Sequence, residues 1–259
     1  MSTPDPTLDT NTVLGKVVTV LQAFTADAHG VSLAELGRRT GLAKATLHRM
    51  LGDLVAVRLV DRTPSGYRLS GQMFELGMRA SVERGLLEVA TPFMEDLYER
   101  THEIVHLGVR EGTDVVYVGK LGGHRQAASP SRLGGRMPLH CTAIGKVLLA
   151  HSDPALFRCV VETGLPRRTP RTVVAPGLLR RQLDQARETG VAFEYEESAT
   201  GIVCVAAAIL DADDVPVAAI SVAGPVTRFR PDAHATAVRA AAAGASSILA
   251  RRGTPQPRP

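Results

Sequence analysis

An α+β fold in two parts is expected for this 259-residue chain from three observations. The first third shows three runs of helical periodicity and then two short strands about a Pro-Ser-Gly turn, the layout of a winged helix-turn-helix. A helix-forming connector follows. From His102 to the end, strand-like and helix-like segments are mixed, which requires a sheet with helices packed on it.

Residues 1–10 read as a flexible tail, with Asp5, Asp9 and two prolines where a secretory leader would need apolar residues. Thr12 to Ala26 places Val13, Val17, Val20, Leu21 and Phe24 at helical spacing, and His29-Gly30 ends that helix. Ser32 and Glu35 have capping-box spacing, so a second helix starts there and runs to about Thr40. Gly41 supplies the left-handed turn into a third helix from about Ala43. Leu47, Met50, Leu51, Leu54 and Val55 form one apolar stripe on it. That stripe leaves Ala45, Thr46, His48 and Arg49, with Lys44 at the helix start, facing outward where a major groove would receive them.

Asp61 to Leu69 reads as the wing, with Arg62 and Arg68 placed to touch phosphates. The winged helix-turn-helix thus covers residues 11–70. Between Arg38 and Arg68 seven basic residues stand against two acidic ones, so the basicity of a chain with net charge +4 is concentrated where a nucleic acid would dock. Helical hairpins with a basic third helix also serve as packing modules, and on this segment alone that alternative stays open.

Gly71 to Arg100 is helix-forming, and Thr91-Pro92 either kinks it or restarts it. We divide it into a linker helix, 71–84, and the start of a second domain, 85–254, followed by a flexible tail at 255–259. In the second domain Val105–Val109 and Val115–Val118 read as strands, and Ala143–Ala150 and Leu178–Thr189 as helices. Strands Ile202–Leu210 and Val215–Ala223 come next, then an Ala-rich helix from about His234 to Arg251. If the turn Asp211–Asp214 is symmetric, Leu210 pairs with Val215 and Cys204 lies opposite Ser221. Period-two alternation puts Ile202, Cys204, Ala206, Ala208, Ala219, Ser221 and Ala223 on one face and Val203, Val205, Ile209, Ile220 and Val222 on the other. The bulky face suits a core; the face of small groups with a thiol and a hydroxyl suits a ligand cavity.

One more stretch stands out, Pro138-Leu139-His140-Cys141-Thr142-Ala143-Ile144-Gly145-Lys146-Val147-Leu148-Leu149-Ala150. It follows the helix-turn-helix and Ser65-Gly66-Tyr67-Arg68-Leu69, and it precedes Glu197, Gly201-Ile202-Val203-Cys204-Val205-Ala206-Ala207 and Ser221-Val222-Ala223-Gly224-Pro225. In that order these segments resemble the IclR family of bacterial transcriptional regulators over nearly the whole chain. The resemblance implies a GAF-like effector-binding second domain, a connector that pairs two chains, homodimers or homotetramers, and either repression or activation. It also implies a pocket that uses Cys204, the hydroxyl of Ser221 and an acid at Glu194. The family's second hydroxyl is Ala223 here, and its frequent proline and serine in the third helix are Ala43 and Ala45. Thr142 and Ala143, at the start of the signature helix, can add backbone donors for an anion.

Plain alternatives stand beside these assignments. Cys204 is also readable as a small buried hydrophobe, Ser221 as bonded to its own strand, and Glu194 as a solvated acid in the cluster Glu194, Glu196, Glu197. His140 and Cys141 do not make a catalytic dyad, because neighbours in an extended segment point in opposite directions. No phosphate-binding glycine loop, Walker lysine, nucleophile elbow or paired-histidine zinc motif occurs, and the three cysteines lack ligand spacing. No catalytic residue, cofactor or metal is therefore expected. The chain reads as a cytoplasmic transcriptional regulator whose partners are double-stranded operator DNA, a small organic metabolite and a second copy of itself, with no membrane. The competing reading is a small-molecule-binding protein or enzyme whose amino-terminal helices serve dimerisation.

Overall fold

The computed structural model describes residues 9, 11–25, 30–77, 79, 81–122 and 130–252, with the backbone alone at 81–84. The expected tails, Asp9 apart, and the expected helix end at His29 lie outside these residues. The chain divides into two compact units, Met1–Ser81 and Val82–Pro259.

In the first unit, helix α1 (Val13–Gln22) starts at Thr12, whose side chain accepts from the Gly15 amide at 2.9 Å, and it stops short of the expected Ala26. Helix α2 (Leu33–Thr40) starts at Ser32, whose hydroxyl accepts from the Glu35 amide at 3.2 Å. The reciprocal half of the expected capping box does not form. The Glu35 carboxylate instead accepts from Arg38 and Arg39, since a guanidinium is a stronger donor than a neutral amide. Gly41 adopts the left-handed conformation with φ 69°, and α3 (Lys44–Ala56) follows it. Leu47, Met50, Leu51 and Leu54 of α3 are buried with Val20, Val31, Leu36, Val60 and Tyr67 as the core of this unit. Strands β1 (Val60–Thr63) and β2 (Gly66–Leu69) pair antiparallel as the wing.

The connector is two helices, α4 (Gly71–Gly77) and α5 (Ser81–Thr101), so its break falls near residue 79. Pro92 lies inside α5 and is not a helix start. Leu86, Val89, Ala90, Met94 and Leu97 are buried on both sides of it, and this packing outweighs the hydrogen bond that proline removes.

The second unit is built on a six-stranded antiparallel sheet in the order β5-β4-β3-β8-β7-β6. Its strands are β3 (Ile104–Glu111), β4 (Asp114–Leu121), β5 (Arg136–Pro138), β6 (Ala192–Tyr195), β7 (Ile202–Leu210) and β8 (Pro216–Pro225). The helices are α6 (Ala143–His151), α7 (Pro154–Thr163), α8 (Pro176–Thr189) and α9 (Pro231–Arg252). Sequence reading missed β5, β6 and α7; strands of three and four residues are too short for alternation to register. On one face Val203, Val205, Ile209, Ile220 and Val222 pack against α5 and α9, as their bulk predicts. On the other, Ile202, Cys204, Ala206, Ala219 and Ala223 meet α6 and α8, so the small-residue face is itself largely a packed core.

The β7–β8 register differs from the symmetric-turn expectation. Cys204 pairs with Ala223, Ala206 with Ser221, and Leu210 with Pro216, with an irregularity at Ile209/Leu210. The Asp211 carboxylate accepts from the Asp213 and Val215 amides at 2.9 Å each, which draws Val215 into the turn. The added turn residue and the bulge together move the pairing by two places. An even shift keeps each side chain on its face, so Cys204 and Ser221 are diagonal neighbours on the predicted face.

Candidate functional site

Two sites emerge, one in each unit. On α3, Lys44, Ala45, His48 and Arg49 are exposed and Thr46 is half-buried, all opposite the buried stripe. Ala43 precedes the helix with φ −58° and ψ 138° and makes no side-chain cap. Within the first unit, the described residues supply no acidic partner to Lys44 or Arg49. On the wing, the register sets Arg62 opposite Tyr67 and Arg68 opposite Asp61. The two arginines therefore point to opposite faces of the ribbon. Arg68 donates from Nε and Nη2 to the Asp61 carboxylate at 3.2 Å, whereas Arg62 is exposed without such a tie.

The second site is a cavity of about 20 Å³ between the sheet and the amino end of α6. Thr142, Ala143, Glu194, Cys204 and Ser221, the five effector-site candidates, all line it. Two adjacent rows of the sheet place them: Glu194 beside Cys204 beside Ala223, and Ala206 beside Ser221 beside His106. Glu194 is not a solvated acid, because it is 3% exposed. Its Oε1 accepts from the Ser198 amide at 2.8 Å and the Ser198 hydroxyl at 2.5 Å. Burial pushes its carboxyl up to about 7, against the pull of the Ser198 bonds and Lys146. The Cys204 thiol is driven well above its ordinary range by burial and then by Glu194, so it stays protonated. Ser221 is buried and close enough to the Cys204 thiol to favour its ionised form slightly, yet among the described residues its hydroxyl has no partner at hydrogen-bond geometry.

His106, Tyr117, Ser131 and Ser198 also line the cavity, and sequence reading assigned none of them. The His106 ring nitrogen lies 2.6 Å from the Ser131 hydroxyl, and burial, then Lys120, lowers its pKa to about 3, so the ring is neutral. Its ring lies 5.0 Å from that of Tyr117. The available signal was one imidazole in the apolar run Ile104-Val105-His106-Leu107, on the side that alternation gives to Ile104.

The signature stretch owes its residue types to packing at this end of the sheet. Thr142 caps α6: its hydroxyl accepts from the Gly145 amide at 3.0 Å and donates to the Pro138 carbonyl at 3.2 Å. Lys146, 1% exposed, pairs with the Glu197 carboxylate and donates to the Phe193 carbonyl at 3.1 Å. Among the described residues Glu197 Oε2 has no partner. His140 sits 3.2 Å from the Pro166 carbonyl, and burial pushes the Cys141 thiol up to about 12. A neutral imidazole on a carbonyl and a protonated thiol do not form a nucleophile and its base.

Comparison with known proteins matches both units. Residues 13–64 fit the IclR helix-turn-helix domain, and residues 78–249 fit the bacterial transcriptional regulator IclR C-terminal domain. The transcriptional regulator KdgR of Escherichia coli (strain K12) is 34% identical over 217 residues, covering 83% of this chain and 82% of that one. The transcriptional repressor AllR of Klebsiella pneumoniae is 33% identical over 223 residues, covering 85% and 82%. An IclR homolog from Microbacterium hydrocarbonoxydans, solved in complex with 4-hydroxybenzoate, superposes with a TM-score of 0.85 at 31% identity, over 93% of this chain and 100% of that one.

Proposed function

Because the chain belongs to the IclR family of bacterial transcriptional regulators, helix-turn-helix proteins and not enzymes, we propose that its α3 and wing read an operator under the control of a small organic metabolite. Lys44, Ala45, Thr46, His48 and Arg49 enter the major groove, and Arg62 and Arg68 hold the flanking phosphates. The metabolite binds among Thr142, Ala143, Glu194, Cys204 and Ser221. Two or four copies act together in the cytoplasm; among the described residues no helix is long and apolar enough to cross a membrane.

The observation that carries the effector assignment is the convergence of these five residues, drawn from separate stretches of the chain, on one buried cavity. The homolog solved with 4-hydroxybenzoate supports a ligand of that size and oxygen content. A cavity of about 20 Å³ holds about one water molecule. An organic effector therefore has to push the walls apart, so occupancy is tied to a change of conformation that differs in energy between bound and free states. Allosteric reciprocity then requires an effector that releases the operator to bind the operator-loaded protein more weakly.

Operator titrations test the DNA half. Arg49→Ala is expected to relax sequence preference by about 1–3 kcal/mol, whereas Arg68→Ala weakens binding to every duplex more evenly. The Arg68 effect should be the smaller, because part of its charge is already met by Asp61. Equal affinity for upstream DNA of its own locus and random duplex, over a range of salt, would refute the operator reading.

Ser221→Val tests the effector half. It removes a buried hydroxyl that has no hydrogen-bond partner among the described residues, so the free protein should be no less stable than the wild type. It also fills the cavity and deletes a ligand donor. Effector affinity is expected to fall by at least about tenfold with operator affinity unchanged; calorimetry with candidate metabolites on both proteins decides, and an unaltered effector affinity in the variant would remove Ser221 from the site.

A further inference from the structure

Among the described residues, the cavity wall contains one carboxyl group, that of Glu194, and no lysine or arginine. The imidazole among them, His106, is neutral. The groups that face Glu194 from the surrounding elements give it little relief. Lys146 of α6 is committed to Glu197, Cys141 and Cys204 present protonated thiols, and Tyr117 of β4 presents a phenol whose ionisation burial suppresses. Arg168, exposed before α8, reaches the carbonyl of Ser198 at 3.3 Å rather than the carboxylate. Glu194 Oε2 makes no hydrogen bond among the described residues.

Other parts of the same wall favour an anion. The nine-residue α6 presents its amino end there through Thr142 and Ala143, and the unpartnered Ser221 hydroxyl is 1% exposed. An acid seated against these donors sets its carboxylate beside Glu194. Two adjacent carboxylates in a buried cavity do not both stay ionised.

We propose that this site takes up a small carboxylic acid together with one proton from solvent, the ligand carboxylate and Glu194 sharing that proton while Ser221 and the amino end of α6 hold the remaining ligand oxygen. This rests on the reading of the cavity as the effector site. One O–H bond forms, nothing is oxidised, and the cavity keeps the single negative charge that ionised Glu194 gave it, because the ligand's charge and the proton's cancel. The regulator then responds to acid concentration and pH jointly.

The sign follows from the position of the Glu194 carboxyl, near 7 in the free protein. Below that pH the proton is already bound and an acid enters without uptake. Above it each ligand must bring a proton, so affinity falls by up to about tenfold per pH unit. The experiment is calorimetric titration of the full-length protein with 4-hydroxybenzoate, acetate and the uncharged 4-hydroxybenzamide, from about pH 6 to about pH 8, in phosphate and in Tris. The two buffers differ in ionisation heat, so the difference in observed heat counts protons. Close to one proton should be taken up with an acid at the alkaline end and almost none at the acid end, with no uptake for the amide.

Glu194→Gln should abolish both the pH slope and the buffer dependence. Ser198→Ala, which removes a bond that favours the carboxylate, should move the onset of the slope upward. Wild-type affinity for the acids that is flat across this range, proton release instead of uptake, or a Glu194→Gln protein that keeps the slope would overturn the proton coupling and leave the effector site standing. Absence of binding by all three probes at every pH would overturn both.

Discussion

Lys146→Met is expected to cost the second unit about 3–5 kcal/mol. Lys146 and Glu197 are 1% and 4% exposed, respectively, in their side chains. Among the described residues the ammonium is the only cation bonded to that carboxylate, and its second oxygen has no partner. Removing the lysine leaves a buried charge that must either stay desolvated or bind a proton. The loop that carries Glu197 cannot easily swing out, because the Thr172 hydroxyl donates to its carbonyl at 2.8 Å and the Thr169 hydroxyl donates to that of Glu196 at 2.6 Å. A second change, Glu197→Gln, in the Lys146→Met background should recover a large part of the loss, since it removes the orphaned charge. Urea titration of the full-length protein measures both. A Lys146→Met midpoint within error of wild type would show that the pair is dispensable.

Gly145→Ala should destabilise by several kcal/mol, against the helix-propensity gain of about 1 kcal/mol that alanine normally brings to a helix interior. A Cβ at this position would meet the Leu139 carbonyl oxygen at 2.2 Å, its Cα at 2.4 Å and its carbonyl carbon at 2.6 Å. These are backbone atoms and cannot rotate away. The turn before α6 would have to lift, taking with it the Thr142 cap and the cavity wall that Thr142 and Ala143 form. Gly85→Ala in α5 is the control: nothing lies within 4 Å of its added Cβ, so it should be neutral or stabilising. Thermal unfolding of both variants separates the outcomes, and a Gly145→Ala protein as stable as wild type would mean that the turn is free to move.

Much of this molecule was legible residue by residue. Ser32 and Gly41 mark the ends of α2 by the hydrogen bond one makes and the φ the other adopts. The stripe from Leu47 to Leu54 buried the face it predicted and left Ala45, His48 and Arg49 exposed. In the second unit, alternation assigned Cys204 and Ser221 to one face correctly even though their pairing was misjudged by two places. The signature stretch could be recognised but not explained, since Gly145 and Lys146 answer to Leu139 and Glu197 and not to their own helix.

What the sequence by itself determined are the properties that neighbouring residues enforce: helix starts and stops, the buried stripe of α3, the charge beside it, and the parity of each strand. These depend on contacts within a turn of helix or two steps of strand, so composition and period suffice. Tertiary structure decided the rest. The β7–β8 register follows from the Asp211 turn and a bulge, and the tie between Arg68 and Asp61 follows from the pairing of two strands. Lys146 meets a carboxylate 51 residues away. Glu194 sits among surface-like acids in the sequence, yet it is carried into the cavity because β6 is laid against β7. Burial and the partners it brings set the charge state of Glu194 and His106, and neither is encoded in the residues beside them.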